Sequence, residues 1–154
     1  KPPVWILGAG EGHDHGIMSQ MPSLTSLVAR DTGPKAFEMA GVTHKDFDLA
    51  MIYDSFTYTV LLTLESLGFC GRGESPDFVK DQITAPGGSF PMNTAGGGLS
   101  YTHPGMYGMF LIIEAVRQLR GECGDRQIHD CKLTFCHGTG GELSSGGTVV
   151  LARD

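Results

Sequence analysis

The hydrophobic pattern along the chain is typical of a layered α/β fold. Short apolar runs predict strands at 3–7, 47–53, 132–136 and 148–151. Runs in which apolar residues recur every three or four positions predict helices at 56–67 and 106–119. A third helical region, 23–40, should be interrupted at Gly33-Pro34, because a proline inside a helix removes a hydrogen bond. The last two strands should pair as antiparallel neighbours across a loop at 138–147, and the polar stretch 71–88 should be an excursion.

Several glycines follow the first predicted strand, in Gly8-Ala9-Gly10-Glu11-Gly12. A dinucleotide-binding loop requires a helix to begin directly after such glycines, whereas this segment continues into His13-Asp14-His15. In an extended segment those three side chains point in alternate directions, which does not suit a metal site. We therefore expect a solvated loop around His13-Asp14-His15, with neither a nucleotide nor a metal bound.

The stretch from 93 to 108 is the one that a packed core explains least well. Its three consecutive glycines, 96–98, each cost about 0.5 to 1 kcal/mol relative to alanine in regular structure, which indicates close approach of the backbone to another group. His103-Pro104 follows, just before the predicted helix, and the residue before a proline is pushed out of the α region. We expect His103 at or near the helix N-cap, where the dipole favours a neutral imidazole that can act as a general base. The alternative is that His103 only caps the helix.

Composition excludes several classes of function. The 154 residues include 11 basic and 17 acidic side chains, a net charge of −6, whereas a nucleic-acid partner requires a basic surface. No apolar run is long enough for a membrane span. The four cysteines show no zinc-ligand spacing, so we expect reduced thiols and a cytoplasmic location. The length fits a single domain, 1–154.

Three motifs resemble those of the thiolase superfamily. The first is Tyr53-Asp54-Ser55-Phe56, in the position of Asn-Glu-Ala-Phe, or of His-Asp-Cys-Phe in the sterol-carrier and nonspecific lipid-transfer type. The second resembles Asn-x-x-Gly-Gly followed by Gly-His-Pro, with Thr102 in place of the glycine before the histidine; it runs from Asn93-Thr94-Ala95-Gly96-Gly97 to His103-Pro104. The third resembles Cys-x-Gly and is Cys136-His137-Gly138-Thr139-Gly140-Gly141.

This resemblance implies a thiolase-like layered α-β-α fold with a five-stranded mixed sheet. Two such halves pack into one thiolase subunit, and this chain resembles the C-terminal half. The family's nucleophilic cysteine belongs to the N-terminal half, so we expect no turnover from this chain alone. The implied substrate is a coenzyme A thioester, with no other cofactor and no metal.

The resemblance also implies roles for individual residues. His103 would activate the nucleophile, Cys136 would exchange the proton at the α-carbon, and the N–H of Gly138 would donate to the thioester oxyanion. Substrate-binding roles are implied for His137, Asn93 and Gly97. Tyr53 departs from the family's asparagine or histidine, and its hydroxyl can donate a hydrogen bond to a carbonyl. We expect Tyr53, His103 and Cys136 to converge at one edge of the sheet.

Acyl transfer by Claisen or thiolysis chemistry, of the acetyl-CoA acetyltransferase type, is the first function that these motifs imply. A retro-aldol cleavage of a hydroxyacyl-CoA, such as a steroid side chain, would instead use Tyr53 and His103 without a nucleophilic cysteine. A non-catalytic lipid-transfer or scaffold half would need an apolar cavity. The family also implies a homodimer, and a small partner protein with a zinc ribbon and an oligonucleotide-fold domain.

Overall fold

The strands form one mixed sheet in a computed structural model that describes residues 1–154. The strands are β1 (Trp5–His13), β2 (Leu49–Ile52), β3 (Leu133–Gly140) and β4 (Ser145–Ala152). They lie in the order β1-β4-β3-β2, with β4 antiparallel to both of its neighbours and β2 parallel to β3. The expected antiparallel pairing of the last two strands is therefore confirmed.

Helices cover both faces of this sheet. They are α1 (Ala29–Ala40), α2 (Thr57–Leu67), α3 (Ser75–Phe78), α4 (Gly97–Ser100) and α5 (Gly108–Leu119), with 3-10 turns at Met18–Gln20, Lys80–Gln82 and Gly124–Arg126. Because side chains alternate along β2, Ala50 and Ile52 pack in the core with α1 and α2, whereas Leu49 and Met51 pack with α5. The predicted α-β-α layering is confirmed. None of the helices is long and apolar enough to cross a bilayer.

The sheet has four strands rather than the expected five. On the free side of β2, the N–H of Ala50 donates to the carbonyl of Pro91 and the carbonyl of Ala50 accepts from the N–H of Asn93, both at 3.1 Å. Pairing stops there as an isolated bridge between Ala50 and Met92, because Pro91 has no N–H to donate and Asn93 turns the chain with φ of 45°. The amide side chain of Asn93 then bonds both the N–H and the carbonyl of Ile52, at 2.9 and 2.8 Å.

The first strand is longer than predicted because its glycines belong to the sheet. A Cβ atom on Gly8 would lie 2.1 Å from the carbonyl oxygen of Ala36, and one on Gly10 would lie 2.3 Å from that of Thr32. The absence of side chains thus lets the backbone of α1 pack directly on β1. The predicted strand ended at position 7, and that boundary is wrong because the strand continues to His13.

The strand extension also buries one residue of the His-Asp-His segment. His15 is only 6% exposed, its Nδ1 contacts the carboxylate of Asp14, and its Nε2 lies 3.0 Å from the carbonyl oxygen of Glu142. Asp14 in turn accepts a hydrogen bond from Arg30 at 3.3 Å. The expected solvated loop is therefore wrong at His15, which ties the end of β1 to the turn between β3 and β4.

Helix α1 runs without interruption through Gly33-Pro34, contrary to prediction. A residue before proline normally avoids the helical region because its Cβ meets the proline ring, and glycine has no Cβ. The same glycine allows a close helix contact, since a Cβ on Gly33 would lie 2.5 Å from a methyl carbon of Leu67 in α2. The helix therefore tolerates the proline in its interior.

Candidate active site at the end of β2

Tyr53 directly follows β2, as the sequence predicts. Its N–H donates to the carbonyl of His137 at 2.9 Å, which continues the parallel pairing with β3 by one residue. Its side chain packs against the cluster on the α5 face of the sheet, with the ring centroid 5.4 Å from that of Tyr107. The end of the strand thus presents the phenol on the same face as α5.

The structure brings His103 to this phenol across 50 residues of sequence. The hydroxyl oxygen of Tyr53 lies 3.2 Å from Nε2 of His103, and the two rings are 5.8 Å apart between centroids. The tautomer of His103 decides which group donates the hydrogen bond. A proton can therefore pass between the phenol and the imidazole without a bridging water.

The position of His103 differs from the expected one. The N-cap of α5 is Tyr107, so His103 lies four residues before that N-cap. The effect of the helix dipole is confined to the first turn and does not extend to His103. The imidazole instead lies against the glycine loop: a Cβ on Gly98 would be 3.1 Å from its Cδ2 atom. The predicted helix-capping position of His103 is wrong, and its place is set by α4 and the segment after it.

Asp54 explains why the loop contains consecutive glycines. Its carboxylate is 5% exposed and accepts the N–H of Gly98 at 2.7 Å and that of Leu99 at 3.2 Å. A Cβ on Gly97 would lie 2.2 Å from the same carboxylate, and Gly97 has φ of 69°. The group that the glycine backbone approaches is therefore Asp54. Sequence reasoning missed this role, although an acid directly after Tyr53 in the same motif was the available signal.

A second buried carboxylate holds the start of the loop. Glu114 of α5 is 3% exposed and accepts hydrogen bonds from the hydroxyl of Thr94 at 2.8 Å, from Gln118 at 3.3 Å, and from Nε and Nη2 of Arg126 at 2.9 and 3.1 Å. Burial by itself raises the pKa of Glu114, but these hydrogen bonds and the charge of Arg126 leave it below its usual value. This network was also missed from the sequence.

Cys136 lies on the same face of the sheet as Tyr53 but in a different environment. It pairs in register with Met51 and belongs to the apolar cluster that contains Leu111 of α5. Burial raises the pKa of its thiol. The thiol borders a groove along β4 and α5, and no hydrogen bond joins it to the Tyr53–His103 pair. Because β3 extends to Gly140, Cys136 is also inside the strand, whereas the sequence pattern placed it at the strand end.

His137 points to the opposite face of the sheet from Cys136. It is fully buried, its Nδ1 lies 2.8 Å from the hydroxyl of Thr148, and that hydroxyl lies 3.0 Å from the hydroxyl of Thr32. Its Nε2 has no hydrogen-bond partner. Burial lowers the pKa of His137 to about 4, so the imidazole is neutral at physiological pH. A substrate-binding role for His137 or for Asn93, whose amide is engaged by Ile52, stays a prediction.

A cavity of about 880 Å³ opens beside Tyr53. It is bounded by Gly138 and Thr139 of β3, by Tyr107, and by a mostly apolar wall that consists of Met18, Met21, Leu24, Phe56, Met106 and Leu143. Burial raises the pKa of Tyr107 to about 12, so its hydroxyl stays protonated. The volume is within the range of pockets that enclose a small molecule. The arrangement therefore places one hydroxyl of a hydrogen-bonded Tyr–His pair at an apolar cavity.

The chain is similar to known proteins along nearly its whole length. The family model described as "Thiolase C-terminal domain-like" matches residues 10–153. The steroid side-chain-cleaving aldolase of Thermomonospora curvata is 39% identical over 158 residues, which cover 99% of this chain and 39% of that protein. The acetyl-CoA acetyltransferase of Methanothermobacter thermautotrophicus is 32% identical over 151 residues, which cover 97% of this chain and 39% of that protein.

A solved structure has a closely similar fold. The Ltp2-ChsH2(DUF35) aldolase superimposes with a TM-score of 0.87 at 32% identity, over 99% of this chain and 40% of that one. The chain thus spans about two fifths of the length of the relatives it matches.

Proposed function

The chain belongs to the thiolase C-terminal domain-like family, and we propose that it is the C-terminal catalytic half of an enzyme. The proposed enzyme makes or breaks a carbon–carbon bond in an acyl-CoA. The observation that carries the proposal is the 3.2 Å contact between Tyr53 and His103 beside the cavity. The substrate is a coenzyme A thioester, and no other cofactor is required.

Of the reactions open to such an enzyme, the geometry favours a retro-aldol cleavage of a hydroxyacyl-CoA. Tyr53 accepts the proton of the substrate hydroxyl and passes its own proton to His103. The bond between the alcohol carbon and the α-carbon breaks, and its electron pair forms the thioester enolate. The alcohol becomes a carbonyl, and protonation of the enolate at the α-carbon balances the proton that His103 has taken up. These steps require no nucleophilic cysteine. The similarity to the aldolase of Thermomonospora curvata, which extends over nearly the whole chain, also supports this reaction.

The second candidate is acyl transfer by Claisen or thiolysis chemistry. It is supported by Cys136, which stands on the same sheet face as Tyr53 in a Cys-x-Gly motif, and by the similarity to an acetyl-CoA acetyltransferase. Gly138 reaches the cavity without a side chain and suits the oxyanion role. The buried thiol would have to lose its proton in this reaction, and its raised pKa opposes that step.

The proposed enzyme also contains an N-terminal thiolase half. Its docking would cover the apolar residues that α5 and the preceding loop leave exposed, among which Met106 is 84% exposed; the others are Met109, Phe110 and Ile113. We further propose a homodimer and a small partner protein with a zinc ribbon and an oligonucleotide-fold domain. The Ltp2-ChsH2(DUF35) aldolase supports the presence of a partner protein. A cytoplasmic location fits four unpaired cysteines.

A non-catalytic lipid-transfer role would use the same cavity. Its wall is largely apolar, as a lipid site requires, but the Tyr53–His103 pair at its edge has no purpose in lipid binding alone. Tight binding of a lipid by a protein that processes no acyl-CoA would support this third function.

Two substitutions in the full-length protein separate the two reactions. If cleavage is retro-aldol, Tyr53→Phe lowers kcat by about 10² to 10⁴, the usual contribution of a positioned acid or base, while Cys136→Ala has little effect. If the reaction is thiolysis, that order reverses. Tyr101→Phe, which removes the hydroxyl of an exposed tyrosine, is the matched control. Small and equal effects of Tyr53→Phe and Cys136→Ala on kcat would show that neither residue is catalytic and would refute the proposed active site.

A further inference from the structure

We propose that Asp54 is a positioning residue, whose carboxylate holds the glycine loop so that His103 stays within hydrogen-bond distance of Tyr53. The inference rests on the proposed function for its kinetic consequence, but not for its structural one. The carboxylate of Asp54 neither lines the cavity nor hydrogen-bonds Tyr53 or His103, and it acts through the chain between Gly98 and His103.

The contacts form a closed circuit. Tyr53 and Asp54 are joined by a peptide bond at the end of β2, and the carboxylate of Asp54 accepts the N–H groups of Gly98 and Leu99. Four residues after Leu99, His103 lies against the Cα of Gly98 and reaches back to the hydroxyl of Tyr53. Each member is thus held by the next, and Asp54 is the only side chain that hydrogen-bonds the backbone of α4.

This fastening is needed because α4 does not sustain itself. It comprises four residues, Gly97–Ser100, and one helical turn has little stability in isolation. Two adjacent glycines lower its helical preference further. Removing the carboxylate therefore frees the segment that carries His103, although the sheet and the cores on its two faces remain.

An amide cannot replace the carboxylate here. The two oxygens of Asp54 each accept one N–H, at 2.7 and 3.2 Å. In Asp54→Asn one oxygen becomes an NH₂ group, which only donates. One of the two hydrogen bonds is therefore lost, and the new NH₂ group faces a backbone N–H with no acceptor between them. The substitution changes side-chain volume little, and its effect is therefore confined to the loop.

Asp48, before the other end of β2, offers a matched control. One oxygen of its carboxylate accepts the backbone N–H groups of Lys132 and Leu133 at 2.8 and 2.9 Å, the same type of contact away from Tyr53. Asp48→Asn makes the same chemical change before β2, but its amide oxygen can still accept both N–H groups, whereas Asp54→Asn must lose one contact beside His103. An effect of losing a carboxylate charge alone would appear in both variants.

Kinetics of the full-length protein provide the first test. A displacement of about 1 Å at a reacting group lowers rates by up to about 100-fold, so we expect Asp54→Asn to reduce kcat by roughly 10- to 100-fold with a smaller change in KM. In a His103→Ala background the same substitution should have no further effect, because the group that it positions is gone. An equal loss in both backgrounds, or an equal loss from Asp48→Asn, would overturn the proposal.

A second test does not depend on any reaction. The ring signals of His103 in the NMR spectrum of the full-length protein are assigned by their disappearance in His103→Ala. We expect these signals to move in Asp54→Asn and to stay in place in Asp48→Asn. If they move but no acyl-CoA is processed by the wild-type protein, the proposed function fails and the positioning role stands. Unmoved signals in Asp54→Asn refute the positioning role.

A third variant disturbs the circuit at another point. Gly98→Ala places a methyl carbon 3.1 Å from the His103 ring and 3.2 Å from Asp54, so this contact must widen, whereas Gly105→Ala adds a methyl group that meets nothing within 4 Å. If Asp54→Asn does not fold, Gly98→Ala should still shift the His103 signals and lower kcat, and Gly105→Ala should do neither. A Gly98→Ala protein with wild-type signals and rates would contradict the proposed circuit.

Discussion

Arg126→Gln tests the network that anchors the start of the glycine loop. In the native protein, two nitrogens of Arg126 bond the carboxylate of Glu114, which is 3% exposed. Glutamine is too short to restore both bonds. The substitution leaves Glu114 with Thr94 and Gln118 as neutral partners, so a buried charge loses the cation that balances it.

The size of the effect follows from burial. Removing one partner of a fully buried ion pair costs about 3 to 5 kcal/mol. The side chain of Arg126 is 38% exposed, so solvent screens the pair, and the carboxylate keeps its hydrogen bonds to Thr94, Gln118 and the thiol of Cys123. We therefore expect Arg126→Gln to lower the free energy of unfolding by about 2 to 3 kcal/mol at neutral pH.

The loss should depend on pH in a defined direction. The pKa of Glu114 is below its usual value of 4.5 in the folded protein, so the stability it contributes is present above that value and is lost as pH falls through the folded pKa. Without Arg126 the folded pKa rises, because burial is no longer offset. The difference between variant and wild type should therefore be large at neutral pH and shrink as pH falls below the usual value.

Urea denaturation at neutral pH and at acid pH measures both quantities. Arg117→Gln is the control, because Arg117 is exposed on α5, the helix that carries Glu114, and its side chain bonds only the carbonyl of Glu122, at 3.3 Å. An Arg126→Gln protein no less stable than Arg117→Gln at neutral pH would refute the reasoning. So would a loss of equal size at both pH values.

Two further predictions concern the sheet. Gly10→Ala should lower the free energy of unfolding by about 1 to 3 kcal/mol, because its Cβ would lie 2.3 Å from the carbonyl oxygen of Thr32. Urea denaturation measures this loss against Gly105→Ala, which adds the same methyl group in open space, and equal stabilities would contradict the prediction. The folded pKa of His137, about 4, lies below the usual 6.5, so its contribution is present above pH 6.5 and is lost as pH falls toward 4, by about 3 kcal/mol in total. His137→Gln should flatten the dependence of unfolding free energy on pH between 6.5 and 4, whereas His129→Gln, at an exposed histidine, should leave it unchanged. A His137→Gln protein with the wild-type dependence on pH would contradict the prediction.

Much of the layered arrangement was predictable because it depends on local periodicity. Strand β2 and helix α2 lie close to where the apolar runs place them, and the antiparallel pairing of β3 with β4 follows from their short separation. The length of β1 was not predictable in the same way. Its glycines are typical of a loop, and their place in a strand is decided by Thr32 and Ala36, which lie on a helix that begins 16 residues after the strand ends.

The candidate site was predictable in part, through its motifs. Their resemblance to thiolase motifs singled out Tyr53 and His103, and the structure places these two in contact. The burial of Cys136 and the sheet face to which His137 points could not be predicted from the sequence. Both depend on how far β3 extends and on which face of the sheet α5 covers. The contact of Asp54 with Gly98 was equally hidden, since it joins segments 44 residues apart.

The isolated bridge at Met92 makes the two margins of the sheet unequal. Beyond β2, the amide of Asn93 and the backbone of Pro91 already occupy the hydrogen-bonding groups of Ala50 and Ile52. At the opposite margin, β1 pairs only with β4 within residues 1–154, and Trp5 and Ile6 near its start are 51% and 70% exposed. The free edge of a nine-residue strand is a template for a further strand. Aggregation by strand addition should therefore begin at β1, and charged substitutions there would suppress it without touching the candidate site.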